Sequence, residues 1–114
     1  MSYRIQLENF EGPLDLLLYF IRRDELDIYD IPISKITKDF IAVIEEWKKL
    51  NMVVAGDFIV MASTLMRVKA KMMIPRPELD EDGDIIDPRE ELMKQLIDYR
   101  RFRDAADMLS LIHI

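Results

Sequence analysis

Cysteine is absent from this chain, and histidine occurs once, at His113. A chain without cysteine has no disulfide framework, no thiolate metal site and no cysteine nucleophile. One imidazole cannot form a histidine zinc cluster, and the usual general base of acid–base catalysis is missing. Carboxylates such as Asp27 and Asp30 remain, but no glycine-rich phosphate loop or serine nucleophile motif accompanies them. The composition therefore argues against an enzyme and against any metal or cofactor site.

Long apolar runs are also missing. No stretch approaches the ~18 to 20 apolar residues of a membrane span, and the N-terminal Met-Ser-Tyr-Arg lacks the apolar segment of a signal peptide. Half of the 114 residues are hydrophobic, which suffices for one modest core. The net charge of −6 disfavours a broad nucleic-acid footprint. We expect a soluble, intracellular, acidic domain that binds neither a membrane nor a small-molecule substrate.

Four apolar periodicities of helical spacing predict an all-α fold. Each begins at a capping residue or at a proline in the first helical position: Pro13, Ser34, Asp57 and Asp87. The predicted helices cover 13–23, 34–50, 57–73 and 88–109. The first three form a small bundle, and an acidic linker separates them from the fourth. The alternation of apolar and polar residues from Tyr3 to Leu7 is typical of a short strand.

The third predicted helix is apolar over roughly 200° of its wheel, whereas a surface helix usually needs a stripe of about 100°. We therefore expect it to contact two neighbours. One half of the arc should pack on the first two helices and comprises Phe58, Ala62, Met66 and Met73. The other half should stay exposed and bind a partner: Met61, Leu65, Val68 and Met72. A helical wheel gives the width of an arc and not its orientation, so the two halves could be exchanged.

The fourth predicted helix is the most regularly amphipathic element, with Leu92, Leu96, Tyr99 and Phe102 on its apolar stripe. This stripe either folds back on the bundle or docks on another protein. The acidic loop before it is not a calcium loop. If Glu78 is position one, Arg89 stands at position twelve, where a bidentate glutamate is required.

Four sequence blocks resemble segregation and condensation protein A, ScpA, the kleisin subunit of prokaryotic SMC complexes. They lie at Phe10–Leu18 (FEGPLDLLL), Glu25–Ile33 (ELDIYDIPI), Ala55–Pro75 and Asp87–Ala106. The resemblance implies a non-enzymatic scaffold that bridges SMC ATPase subunits and recruits a ScpB dimer for chromosome condensation and segregation. It places the protein in the cytoplasm at the nucleoid and in contact with DNA only through the complex.

The resemblance also divides the chain into regions. It implies an N-terminal domain over 1–75 that binds the coiled-coil neck of SMC, with Met61, Leu65, Val68 and Met72 as contacts. A linker over 76–87 follows. Residues 88–109 then belong to a central ScpB-binding segment, with Leu92, Leu96, Tyr99 and Phe102 as anchors. The alternative is an independent helical adaptor or regulator that binds another coiled-coil partner.

Two features depart from the family pattern. The chain stops before the winged-helix domain that the family carries at its C-terminus. The tail Ser110–Ile114 breaks the charged pattern of the fourth helix and looks like translated adapter sequence. We expect residues 110–114 to be non-native, and His113 carries no functional weight.

Overall fold

The computed structural model describes residues 7–112, and over this range the protein is all-α as predicted. A 3-10 turn at Leu7–Asn9 precedes four helices. The helices are α1 (Pro13–Arg23), α2 (Ile33–Lys49), α3 (Gly56–Met72) and α4 (Glu90–Ile112). The strand predicted over 3–7 lies outside the described residues except at Leu7, which begins the 3-10 turn. None of these helices is both long and apolar enough to cross a membrane.

The helix ends lie within three residues of the predicted positions, but two predicted caps are wrong. Pro32 is the N-cap of α2 instead of Ser34, and Ala55 is the N-cap of α3 instead of Asp57. Neither N-cap position makes a side-chain capping hydrogen bond. The Asp87 carboxylate does accept a hydrogen bond from the N–H of Arg89 (2.9 Å), in the turn that leads into α4. A helix thus begins where the chain geometry and packing allow it, even when a better capping side chain lies two residues away.

One hydrophobic core unites the four helices. Its largest fully buried side chains include Trp47, Phe20 and Phe40. The Trp47 and Phe58 rings meet edge to face with their centroids 5.6 Å apart, which joins α2 to α3. α1 lies against α2, α3 and α4. Residues 26–31, the connector between α1 and α2, add Ile28 and Ile31 to the same core.

The fourth helix does not stand apart from the bundle. Leu92 and Leu96 belong to the common core, and α4 packs on α1. Of the two alternatives for the stripe of the fourth helix, folding back on the bundle therefore holds for the first half of α4. Packing on α1 removes the two leucine side chains of α4 from water, and this burial stabilises the packed arrangement. The division of the chain into an N-terminal domain, a linker and a central segment remains a prediction.

The acidic linker forms a small, exposed hairpin-like turn over residues 78–86. The N–H of Ile86 donates to the carbonyl of Glu78, and the N–H of Asp80 donates to that of Asp84, both at 2.8 Å. The Asp80 carboxylate accepts hydrogen bonds from the N–H groups of Asp82 and Asp84 (2.9 Å each). Gly83 supplies the left-handed conformation (φ +82°) that this turn requires.

Candidate protein-interaction surfaces

The buried side of α3 is not the one that the sequence pattern suggested. Phe58, Met61, Leu65 and Val68 follow one another at spacings of three and four and are 0–9% exposed. The expectation that Met61, Leu65 and Val68 stay exposed is therefore wrong, because α3 turns this face toward α1 and α2. Met72, the fourth residue of that set, is 41% exposed at the end of the helix.

A second apolar line follows the opposite side of α3 and faces solvent. We call it the α3 outer seam: Ile59, Ser63, Met66, Ala70 and Met73. All five residues are exposed, with Ile59 at 40%, Met66 at 51% and Met73 at 71%. Met66 and Met73 were expected in the core, so this part of the prediction is also wrong. The two lines lie about 140° apart on the wheel at about 100° per residue, which explains the unusual width of the apolar arc.

The spacing of the outer seam fits a helical partner. Its steps of four, three, four and three residues give the 3.5-residue repeat of a coiled-coil seam. Large side chains at Ile59, Met66 and Met73 alternate with the small Ser63 and Ala70. Such an alternation forms knobs and holes for a helix packed at a shallow angle. Unbranched methionine side chains also repack readily against a partner surface.

The apolar stripe of α4 changes from buried to exposed along its length. Leu92 is 3% exposed and Leu96 is 0% exposed, Tyr99 is half-buried, and Phe102 is 64% exposed. Leu92 and Leu96 are therefore covered by the bundle in this structure, and their role as ScpB anchors remains a prediction. Beyond Tyr99 the stripe continues in solvent at steps of three, three and four residues. We call this part the α4 outer stripe: Phe102, Ala105 and Leu109.

An arginine at the start of α4 joins two of the sequence blocks that carry the resemblance. The Nη1 of Arg89 donates to the Asp30 carboxylate and to the Ile31 carbonyl, both at 2.7 Å. Its Nε and Nη2 donate to the two carboxylate oxygens of Asp87 at 3.1 and 2.9 Å. These hydrogen bonds lower the pKa of Asp87 and raise that of Arg89. We call this arrangement the Arg89 fork, and it holds the first turn of α4 against the α1–α2 connector.

A second polar cluster, formed around Arg103, holds α4 nearly two turns past Leu96. The Arg103 guanidinium lies 3.3 Å from the Asp15 carboxylate and 3.4 Å from that of Glu11. The Tyr99 hydroxyl donates to the same Glu11 carboxylate at 3.4 Å, and burial raises the pKa of Tyr99. Asp15 is 4% exposed on α1 and also accepts a hydrogen bond from the N–H of Glu11. Sequence reasoning missed both clusters, because Arg89 lies 58 or more residues from its partners in the α1–α2 connector, and the partners in the second cluster lie 88 or more residues apart.

The cavities between the elements have both apolar and polar linings. One of about 290 Å³ lies between the end of α3 and the acidic hairpin, and its apolar lining includes Met72, Ile74 and Ile85. Within residues 7–112, no group of three or more histidine, aspartate or glutamate side chains could hold a metal ion. The α3 outer seam and the α4 outer stripe are exposed apolar helix faces of a kind that suits protein partners.

Comparison with known proteins supports the resemblance seen in the motifs. The family profile described as "Segregation and condensation protein ScpA" matches residues 20–114. "Segregation and condensation protein A" of Brevibacillus brevis is 46% identical over 121 aligned residues, which cover 100% of this chain and 48% of that protein. The protein of the same name from Oceanobacillus iheyensis is 46% identical over 95% of this chain and 45% of its own length. That from Bacillus pumilus is 45% identical over 96% of this chain and 45% of its own length.

The chain thus spans about half the length of the curated relatives it matches. The profile match nevertheless covers most of the chain and includes three of the four blocks that carry the resemblance. The chain belongs to the segregation and condensation protein ScpA family.

Proposed function

We propose that this chain is part of a non-enzymatic kleisin scaffold, and that its α3 outer seam docks on the coiled-coil neck of an SMC ATPase. The observation that carries the proposal is the presence of two apolar lines on one helix. Phe58 and Leu65 lie on the line in the core, while Ile59 and Met66 lie on the exposed one. Membership of the ScpA family supports the choice of an SMC coiled coil as the occupant.

The seam suits a coiled coil in both geometry and energy. Two neck helices that lie along α3 would complete a small bundle, with α3 as the shared helix. Full burial of a large apolar side chain stabilises by roughly 1.5 to 3 kcal/mol. Ile59, Met66 and Met73 are already partly covered, so each would contribute about half of that. Their combined burial would provide a substantial part of a specific protein contact.

The second proposed partner is a ScpB dimer, which would bind α4. The α4 outer stripe presents Phe102 and Leu109 to solvent on one helix face. Exposed aromatic side chains of this kind often dominate the energy of an interface. Tyr99 lies at the border of this surface, since its ring is half-buried and lies 6.3 Å from that of Phe102.

In this proposal the protein acts in chromosome condensation and segregation by linking subunits, without catalysis. It would work in the cytoplasm at the nucleoid, and it would reach DNA only through its partners. The net charge of −6 agrees with that arrangement, because a direct phosphate contact normally needs clustered basic residues.

The proposal is tested by placing a charge in the outer seam. Met66→Glu should weaken binding to the SMC neck of the same organism by about a hundredfold or more, because docking would bury an unpaired carboxylate. The matched control is Val60→Glu, since Val60 is 66% exposed on the same helix and lies about 120° away from Met66. That variant should bind within about threefold of the unchanged chain.

Binding is measured by titration of a labelled neck fragment, and circular dichroism checks that both variants remain folded. Equal loss in the two variants, or no loss in Met66→Glu, would show that the seam is not the docking surface. If the unchanged chain does not bind the neck at all, the SMC proposal fails, and the helical adaptor of a different coiled coil takes its place.

A further inference from the structure

We infer that α1 and the second partner compete for the first half of α4. In the structure, α1 covers Leu92 and Leu96, and the Arg89 fork and the Arg103 cluster hold this arrangement closed. The partner would take over the two leucines after α4 leaves α1. This inference rests on the proposed binding of ScpB to α4 and adds a regulatory step to it.

The first observation is that the stripe is continuous. At about 100° per residue, Tyr99 lies about 60° from both Leu96 and Phe102, so the apolar stripe winds around α4, which runs without interruption from Glu90 to Ile112. One end of the stripe is buried and the other is exposed. A partner seated on Phe102 therefore lies next to Tyr99, and Leu96 is less than two turns away on the adjoining part of the stripe.

The second observation is that α4 supplies few of the fully buried side chains of the core. Of the 19 buried hydrophobic side chains in residues 7–112, Leu92 and Leu96 alone come from α4. The other 17 come from α1, α2, α3 and the α1–α2 connector. Residues 70–85, which precede α4, are all exposed. Release of α4 therefore breaks its contact with α1 but leaves most of the core in place.

The third observation is the position of the polar contacts. The Arg89 fork lies before Leu92, and the Arg103 cluster lies after Leu96, so the pair of leucines is flanked on both sides. The Asp30 side chain of the fork is 72% exposed and can be solvated when α4 leaves. Contacts of this type bias an equilibrium modestly without making it irreversible. They thus act as a latch on the closed state.

Locking the closed state tests the inference directly. Glu11 and Gln95 are both exposed and line one cavity of about 300 Å³ between α1 and α4. Because the chain has no cysteine, Glu11→Cys with Gln95→Cys can be bridged selectively by a short bismaleimide that contains a disulfide. The bridged protein should bind ScpB at least tenfold more weakly than the same double variant without a bridge. Reductive cleavage of the bridge should restore binding.

A bridged protein that binds as tightly as the unbridged one overturns the competition, while the proposed ScpB contact on the outer stripe survives. If neither the unchanged chain nor the unbridged variant binds ScpB, the proposed function fails and the competition fails with it.

Opening without any partner is measured by hydrogen exchange of the α4 amides. Arg89→Gln should speed their exchange roughly fivefold and leave that of α2 unchanged, because the latch acts on α4 alone. The control is Arg100→Gln, since Arg100 is an exposed arginine of α4 with no ion pair to the bundle within residues 7–112. Equal exchange in both variants would contradict the latch.

Discussion

Leu65 and Met66 are adjacent in the sequence and similar in size, yet the structure assigns them opposite environments. Leu65 is 0% exposed in the core, and Met66 is 51% exposed on the outer seam. Replacement of each by alanine removes similar apolar groups at neighbouring positions of one helix. The two variants therefore report the orientation of α3, on which the proposed docking surface depends.

The expected magnitudes differ clearly. A buried leucine replaced by alanine typically costs about 2 to 5 kcal/mol, because a cavity adds to the lost transfer free energy. A half-exposed methionine should cost less than about 1 kcal/mol. A domain of this size has a free energy of unfolding of about 5 to 15 kcal/mol. Leu65→Ala should thus remove a large fraction of the stability, whereas Met66→Ala should be nearly neutral.

Urea denaturation followed by circular dichroism measures both changes. With a slope of about 1.5 kcal/mol per molar urea, a loss of about 3 kcal/mol lowers the midpoint by about 2 M. The Met66→Ala midpoint should fall by less than about 0.7 M on the same basis. If Met66→Ala is the more destabilised variant, α3 faces the other way, and the outer seam is not a free surface.

Two further predictions concern α4. Phe102→Ala should weaken ScpB binding about tenfold or more. Met108→Ala should leave ScpB binding unchanged, because Met108 is as exposed as Phe102 but lies about 120° away from it on α4. Equal losses of affinity in the two variants would contradict the assignment of the α4 outer stripe to ScpB. The second prediction concerns the pH dependence of stability. In the folded protein the pKa of Asp87 lies below its ordinary value of 3.8, because Arg89 donates hydrogen bonds to the carboxylate. The ionised carboxylate therefore stabilises the fold above about pH 4, and this contribution is lost as the pH falls through the lowered pKa. The difference in urea midpoint between the unchanged chain and Asp87→Asn should therefore shrink between pH 6 and pH 2.5, and a constant difference would contradict the ion pair.

The number and position of the helices could be predicted from the sequence because these features depend on local chemistry. Pro13 fixes a helical φ at the first position of α1, and the break at Ile74–Pro77 ends α3. Apolar spacing of three and four residues indicates the remaining extents. Even so, two N-caps lie two residues before the predicted ones, because the ends of a helix adjust to the packing of its neighbours.

The width of the apolar arc of α3, and hence its need for two neighbours, was also contained in the sequence. The sequence did not determine which of the two lines faces inward. Phe58 and Ile59 are both apolar, and a helix can rotate about its axis at no local cost. The tertiary structure decided it, by packing Phe58 against Trp47 and Phe40.

The placement of α4 was likewise decided only in three dimensions. The sequence determined an amphipathic helix with a leucine and aromatic stripe, which must bury that stripe on some surface. It could not determine which surface, since either α1 or another protein can remove that stripe from water. The choice depends on contacts such as that of Arg89 with Asp30, whose partners are 59 residues apart and meet only after the bundle has formed.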